Sequence, residues 1–298
     1  MATTQTVSSN YKGTTAGEII GKAFKENKTL ENITVYEGIN YDLNLRRIQY
    51  TNGRRAYSCG FVPAGAITLD ERVLKPKKFT NDFDGCMEDF RATWSDEKMG
   101  QSAANAMPAD IENAIMANVL ASEAQELGYN IWQGVASNPA QFDGFLALFA
   151  AVGSGVIKVT GTTITDVNVD VELKKALAAI PMTLKGKDVK VFVDPATFQA
   201  YTFFLISKGI TALGDASDKT AMFGKYKLIE DGGLPANSIV IAEQSNLVFG
   251  TGLKNDSNQL YIDSTSAERQ LDGMYKGKLV YSAGVQFYFG NEIVWYKV

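Results

Sequence analysis

Histidine is absent from this sequence, and Cys59 and Cys86 are its only thiols. Without imidazole, the Ser-His-Asp and Cys-His nucleophile systems, His-ligated zinc and the usual near-neutral acid–base group all drop out. Two cysteines so far apart form neither a metal motif nor a disulfide framework, and they read as reduced thiols of a chain folded in a cytoplasm. Glu123 with Glu126, and Asp82 with Asp84, are spaced as carboxylate pairs. Such pairs on a helix face or a loop are ordinarily solvated or ion-paired, so no catalytic dyad is expected. Asp166-Val167-Asn168-Val169-Asp170 begins like a calcium loop, but that loop needs Gly at its sixth position and Glu at its twelfth. Val171 and Leu177 stand there instead. Gly250-Thr251-Gly252 lacks the third glycine of a dinucleotide fingerprint, because Asn255 occupies its place. No enzyme, metal or cofactor is expected.

The basic residues Arg46, Arg47, Arg54 and Arg55 lie beside Tyr50 and Tyr57, and Lys75, Lys77 and Lys78 follow. Interleaved cations and aromatics can bind single strands of nucleic acid. Arginine also suits ion pairs at protein interfaces, which is the preferred reading, with Glu112, Glu123 and Glu126 as the expected acidic partners on a neighbouring copy. These residues are the candidate inter-subunit contacts. The net charge of −4 supplies no overall basic field of the kind that drives sequence-independent nucleic-acid binding.

These side chains must be positioned by the elements around them. Residues 1–17 are polar and cannot bury enough surface to offset ordering entropy. A short amphipathic patch follows at Ile19, Ile20, Ala23 and Phe24. Residues 33–79 read as extended, and Thr51-Asn52-Gly53-Arg54 predicts a tight hairpin with arms over 46–50 and 55–59. The best helix spans 108–130, with Pro108 in its first turn and Gly128 as a stop. Val156–Thr163 predicts a hairpin turning at Gly161. A helix capped by Asn168 or Asp170 ends at Pro181, Val189–Val193 is a buried strand, and Asp194-Pro195 starts another helix. Strands are expected at 226–229 and 238–242. The last 45 or so residues read as one antiparallel set, at 260–262, 278–281, 285–289 and 293–296, punctuated by Gly284 and Gly290-Asn291. No stretch approaches the ~20 apolar residues that a membrane helix needs.

This order of segments resembles the major capsid protein of tailed double-stranded DNA bacteriophages, the Hong Kong 97-type fold. The resemblance is carried by the basic hairpin, the long alanine-rich helix, Phe142-Asp143-Gly144-Phe145-Leu146, Asp194-Pro195-Ala196-Thr197-Phe198 and Gly284-Val285-Gln286. It implies an α+β chain with an N-terminal arm (1–40) and an extended loop (41–80). A peripheral domain with the spine helix (81–140), an axial domain (141–252) and C-terminal strands returning to the peripheral domain (253–298) would follow. It further implies pentamers and hexamers in an icosahedral shell enclosing double-stranded DNA without sequence specificity. A portal and a separate scaffolding protein would be partners, the latter because no room remains for a cleaved N-terminal scaffold. The protein would be assembled in the host bacterial cytoplasm, reside in the virion and meet no membrane. An encapsulin-type nanocompartment and a phage tail protein are the alternatives.

Overall fold

The computed structural model describes residues 10–12, 28–39, 41–57, 59–86, 109–209, 220–252, 259–263 and 274–298. Most of the expected N-terminal arm, with its patch at Ile19–Phe24, and Pro108 lie outside them.

In chain order the elements begin with β1 (Asn10–Lys12), α1 (Lys28–Glu31), β2 (Thr34–Glu37), β3 (Leu43–Thr51), β4 (Ala66–Leu74) and β5 (Lys77–Cys86). The long helix α2 (Ala109–Gln133) follows, then α3 (Phe145–Ala150), β6 (Ile157–Thr160), α4 (Val169–Ala178), β7 (Val189–Val193) and α5 (Pro195–Ser207). The last part contains β8 (Thr220–Phe223), β9 (Tyr226–Glu230), β10 (Ile239–Glu243), β11 (Leu247–Thr251), β12 (Gln259–Asp263), β13 (Met274–Phe287) and β14 (Val294–Lys297).

β13 is the axis of the first sheet. β5 pairs along one edge of it from Met274 to Ala283, while β12 and then β11 follow one another along the other edge. β1 and β2 flank β12 and β11 on the outside. The second sheet has the order β6-β14-β10-β7-β9-β8. Its central strands are apolar on both faces, as strands covered on both sides must be. Phe192, Val240 and Trp295 face the main core, which also holds Trp132 and Phe145–Phe149 of the helices and Leu279, Tyr281 and Phe287 of β13. Val191, Val193, Ile241 and Tyr296 face a second core closed by Val169, Leu173 and Ala176 of α4 and Tyr201 of α5.

Helix α2 runs through Gly128 to Gln133, past the expected stop. Leu127, Ile131 and Trp132 are fully buried, and this packing outweighs the modest cost of a glycine in a helix. At the end of α2, the turn after β9 is clamped by a buried carboxylate. Asp231 accepts from Thr29 Oγ1 at 2.5 Å, Trp132 Nε1 at 2.8 Å and its own turn's Gly233 N–H at 3.0 Å. Asp194 caps α5 by accepting from Thr197 N–H at 3.1 Å, with Pro195 in the first turn, as expected.

Four local expectations are corrected. The segment 157–160 is one strand parallel to β14, because Gly161 N–H continues that ladder by donating to Lys297 O instead of turning. Asn168 occupies the position before α4, but its side chain accepts from Thr165 and leaves the helix uncapped. β13 passes straight through Gly284, where the chain at Lys75 and Pro76 crosses close above it. The C-terminal strands are not one set. β14 joins the second sheet between β10 and β6, because Val294 and Tyr296 fill the second core while Trp295 fills the first.

Candidate functional site: the hairpin and its root

The hairpin itself also departs from expectation. β3 pairs with β4, from Leu43↔Leu74 out to Thr51↔Ala66. Residues 55–57 and 59 form no strand and belong to the loop between 52 and 65. Neither Asn52 nor Gly53 takes the positive φ that a tight Asn-Gly turn demands. The alternation Ile67-Thr68-Leu69-Asp70 decides the register, since a one-residue slip would turn every side chain to the wrong face. That alternation is the signal in the sequence that could have revealed β4.

One face of the hairpin roots it on the body. Leu45 and Leu74 are buried with Val248, and Ile39, Leu43 and Tyr288 pack around them. Gly250 is bare because a Cβ there would meet the end of the Leu74 side chain, a packing reason for the first glycine of the Gly-Thr-Gly step. Farther out, Arg47 pairs with Asp70, donates to Tyr288 O at 3.0 Å and lies 5.9 Å from the Phe289 ring centre. Arg72 donates to Ser154 O at 3.1 Å and stacks over Phe287. Burial and the neighbouring Arg47 charge lower the Arg72 pKa from its ordinary value. The Nε atoms of both arginines are buried without a hydrogen-bond partner among the described residues. Burial pushes the Tyr288 hydroxyl up to about 12, helped by its contact with Tyr36 at 3.1 Å.

The other face looks into solvent and is apolar. Ile48 stands opposite Leu69 and Tyr50 opposite Ile67. These four side chains are 67%, 73%, 63% and 69% exposed. Tyr57 and Phe61 in the connecting loop are almost fully exposed as well. Contiguous apolar surface of this kind marks an interaction site.

The charged candidates divide. Arg46 is exposed on the apolar face, opposite Glu71. Arg54 is exposed in the loop, and the Arg55 side chain donates to Gly60 O at 3.0 Å. Lys75 lies 4.0 Å from Asp42, and Lys78 is exposed on β5. Lys77 is engaged at home, donating to Gln141 O at 2.8 Å and Asn138 O at 3.3 Å. Glu123 likewise accepts from Asn81 Nδ2 at 2.5 Å and Tyr281 OH at 2.9 Å, tying α2 to the first sheet. Burial and the Glu123 charge drive the Tyr281 pKa far upward. Glu112 is 3% exposed, whereas Glu126 faces solvent. Arg47, Lys77, Glu112 and Glu123 thus serve the subunit's own packing. Sequence reasoning missed Ile67, Leu69, Asp70, Arg72 and Asp231.

Asp82 and Asp84 stand on β5 opposite Lys278 and Lys276, with Lys278 Nζ 3.8 Å from Asp82. No group of three or more His, Cys, Asp or Glu side chains is arranged to hold a metal ion among the described residues. Cys59 and Cys86 are both free, and no described helix is long and apolar enough to cross a membrane.

The fold defined by these two sheets, the long helix and the outreaching hairpin is that of bacteriophage capsid shells, the Hong Kong 97-type fold. The capsid of an empty GTA particle aligns over 100% of this chain and 94% of its own, with a TM-score of 0.59 at 12% identity. A chain of Gordonia phage Cozz aligns over 90% and 84%, with 0.58 at 13% identity. The satellite phage P4 procapsid aligns over 94% and 98%, with 0.55 at 14% identity. A virus-like particle from Pyrococcus furiosus aligns over 94% and 96%, with 0.52 at 9% identity. No protein-family model and no curated protein matches the sequence.

Proposed function

We propose that this chain is the major subunit of an icosahedral phage capsid, building pentamers and hexamers around double-stranded DNA. The observation that carries this reading is the outward apolar face of the hairpin, Ile48, Tyr50, Ile67 and Leu69, on a fold shared with assembled shells. A subunit that exposes such a face gains stability only by covering it with another subunit, as obligate interfaces do. Many such contacts around a closed shell add through multivalency. In this reading residues 1–40 form the arm and 41–80 the extended loop. Residues 81–140 form the peripheral domain, 141–252 the axial domain at the capsomer centre, and 253–298 the strands that return. Arg46, Arg54 and Arg55 border the apolar face and meet acidic groups of the neighbour, Glu126 among them. DNA is confined without sequence readout, consistent with a net charge of −4. The role is structural, a portal and a scaffolding protein are the expected partners, and assembly takes place in the host cytoplasm before the subunit resides in the virion.

The likeness to the Pyrococcus furiosus virus-like particle supports a second reading, an encapsulin-type shell around protein cargo. Negative-stain electron microscopy with light scattering of the recombinant protein tests both. Closed polyhedra, or pentamers and hexamers, are expected. Tubes, or a monomer that persists even with a co-expressed scaffold, would overturn the reading, and nucleic acid rather than protein inside shells from infected cells separates capsid from nanocompartment.

A further inference from the structure

β5 has ten residues, and among the described residues its only strand partner is β13, on one side. Its other edge therefore presents backbone N–H and C=O groups that β13 does not use, a template for another strand. The side chains alternate. Lys78, Thr80, Asp82 and Asp84 are exposed, and Phe79, Asn81 and Phe83 turn towards the body. Around Asn81 this pattern is complementary to itself. Read in opposite directions, Lys78 falls opposite Asp84, Thr80 opposite Asp82, and Phe79 opposite Phe83.

We propose that β5 pairs antiparallel with β5 of a second copy about a two-fold axis through Asn81. An isologous contact requires such self-complementarity. In this register each residue meets one whose backbone points the same way relative to β13, so the outward-pointing groups of the two strands face each other. Each Asp84, already opposite Lys276 within its own sheet, gains Lys78 of the second copy on its other side. Opposite charges directly across strands are favourable, and like charges are not. The neighbouring registers are worse. Sliding by one step towards the C-terminus sets Asp82 against Asp82. Sliding the other way still sets Lys78 opposite a carboxylate, Asp82, but leaves only 77–83 of each β5 paired instead of 77–85. The contact joins two copies whether or not they go on to close a shell.

The test exploits the two-fold axis. Lys78→Asp places two carboxylates opposite each other, and Asp84→Lys places two ammonium groups opposite each other. Either alone is expected to weaken self-association at least tenfold by sedimentation velocity. The double variant Lys78→Asp with Asp84→Lys restores it, and so does mixing the two single variants. In a Cys59→Ser, Cys86→Ser background, Thr80→Cys with Asp82→Cys is expected to form covalent dimers under mild oxidation. Unchanged association in both single variants, or no covalent dimer from the cysteine variant, would overturn the proposal. Shells that form normally from Lys78→Asp would remove this contact and leave the shell reading intact. Dimers that respond to the charges without ever closing into shells would do the reverse.

Discussion

The guanidinium of Arg72 lies 4.0 Å from the centre of the Phe287 ring, joining the second strand of the hairpin to the end of β13, the longest of the described strands. The hairpin is therefore held stiffly at its root and bare at its outer face. Cation–π contacts are worth about 0.5–2 kcal/mol depending on desolvation. Arg72→Ala should destabilise the isolated subunit by about 1–2 kcal/mol in urea unfolding. Arg72→Lys should recover only part of that, since an ammonium cannot reproduce the planar stack over Phe287.

The apolar face should be dispensable for folding and required for assembly. Ile48→Lys with Leu69→Glu replaces a solvent-facing apolar pair by opposite charges across the strands, and surface changes of that kind stay within about 0.5 kcal/mol. Circular dichroism and melting should match the parent, while particle yield in electron micrographs falls to background. Normal shells from this variant would sink the assembly role of the hairpin.

Asp231 tests the junction between helix α2 and the second sheet. Removing its carboxylate strands the buried Trp132 N–H and takes one acceptor from the Thr29 hydroxyl, and an unsatisfied buried group costs about 1–3 kcal/mol. Asp231→Ala should cost about 3 kcal/mol or more, with Asp231→Asn intermediate because one acceptor remains. A shift in Trp132 fluorescence during denaturant titration reports the loss directly.

Acid should loosen the second core. Glu172 accepts from Tyr296 OH at 2.6 Å and Thr162 Oγ1 at 3.0 Å, with Lys175 3.6 Å away. The Tyr296 hydroxyl, more than the other two, holds its pKa below the ordinary value against the opposing effect of burial. A carboxylate depressed in the folded state contributes stability that is full above its unfolded pKa of about 4.3 and is lost as pH falls through the folded value. Tyr296→Phe should therefore flatten the acid limb of the stability–pH curve. An unchanged slope below pH ~4 would show that Glu172 does not drive it.

Alkaline pH acts in the opposite sense. The Tyr288 hydroxyl ionises near 10 when unfolded and at about 12 when folded. Its stabilisation is complete below pH ~10 and is lost between those values. Tyr288→Phe should reduce the fall in stability measured across that window.

The sequence alone determined the features that local physical chemistry governs. Asp194-Pro195 starts a helix because its cap and its fixed φ are matters of adjacent atoms, and Val189–Val193 reads as a buried strand because nothing polar interrupts it. The order of segments, the long helix and the absence of histidine were enough to point to an α+β shell fold and away from the usual imidazole chemistry. Tertiary structure decided what depends on distant partners. Asn52-Gly53 favours a tight turn, yet the hairpin closes between Thr51 and Ala66, because Leu45 and Leu74 must both reach Val248. β14 leaves its neighbours in sequence for the other sheet, because Tyr296 completes a core with α4, which no window around residue 296 contains. The same holds for the charged candidates. Arg46 and Arg47 are alike in sequence, but the two-residue period of a strand sends one to the exposed face and the other to Asp70 and Tyr288.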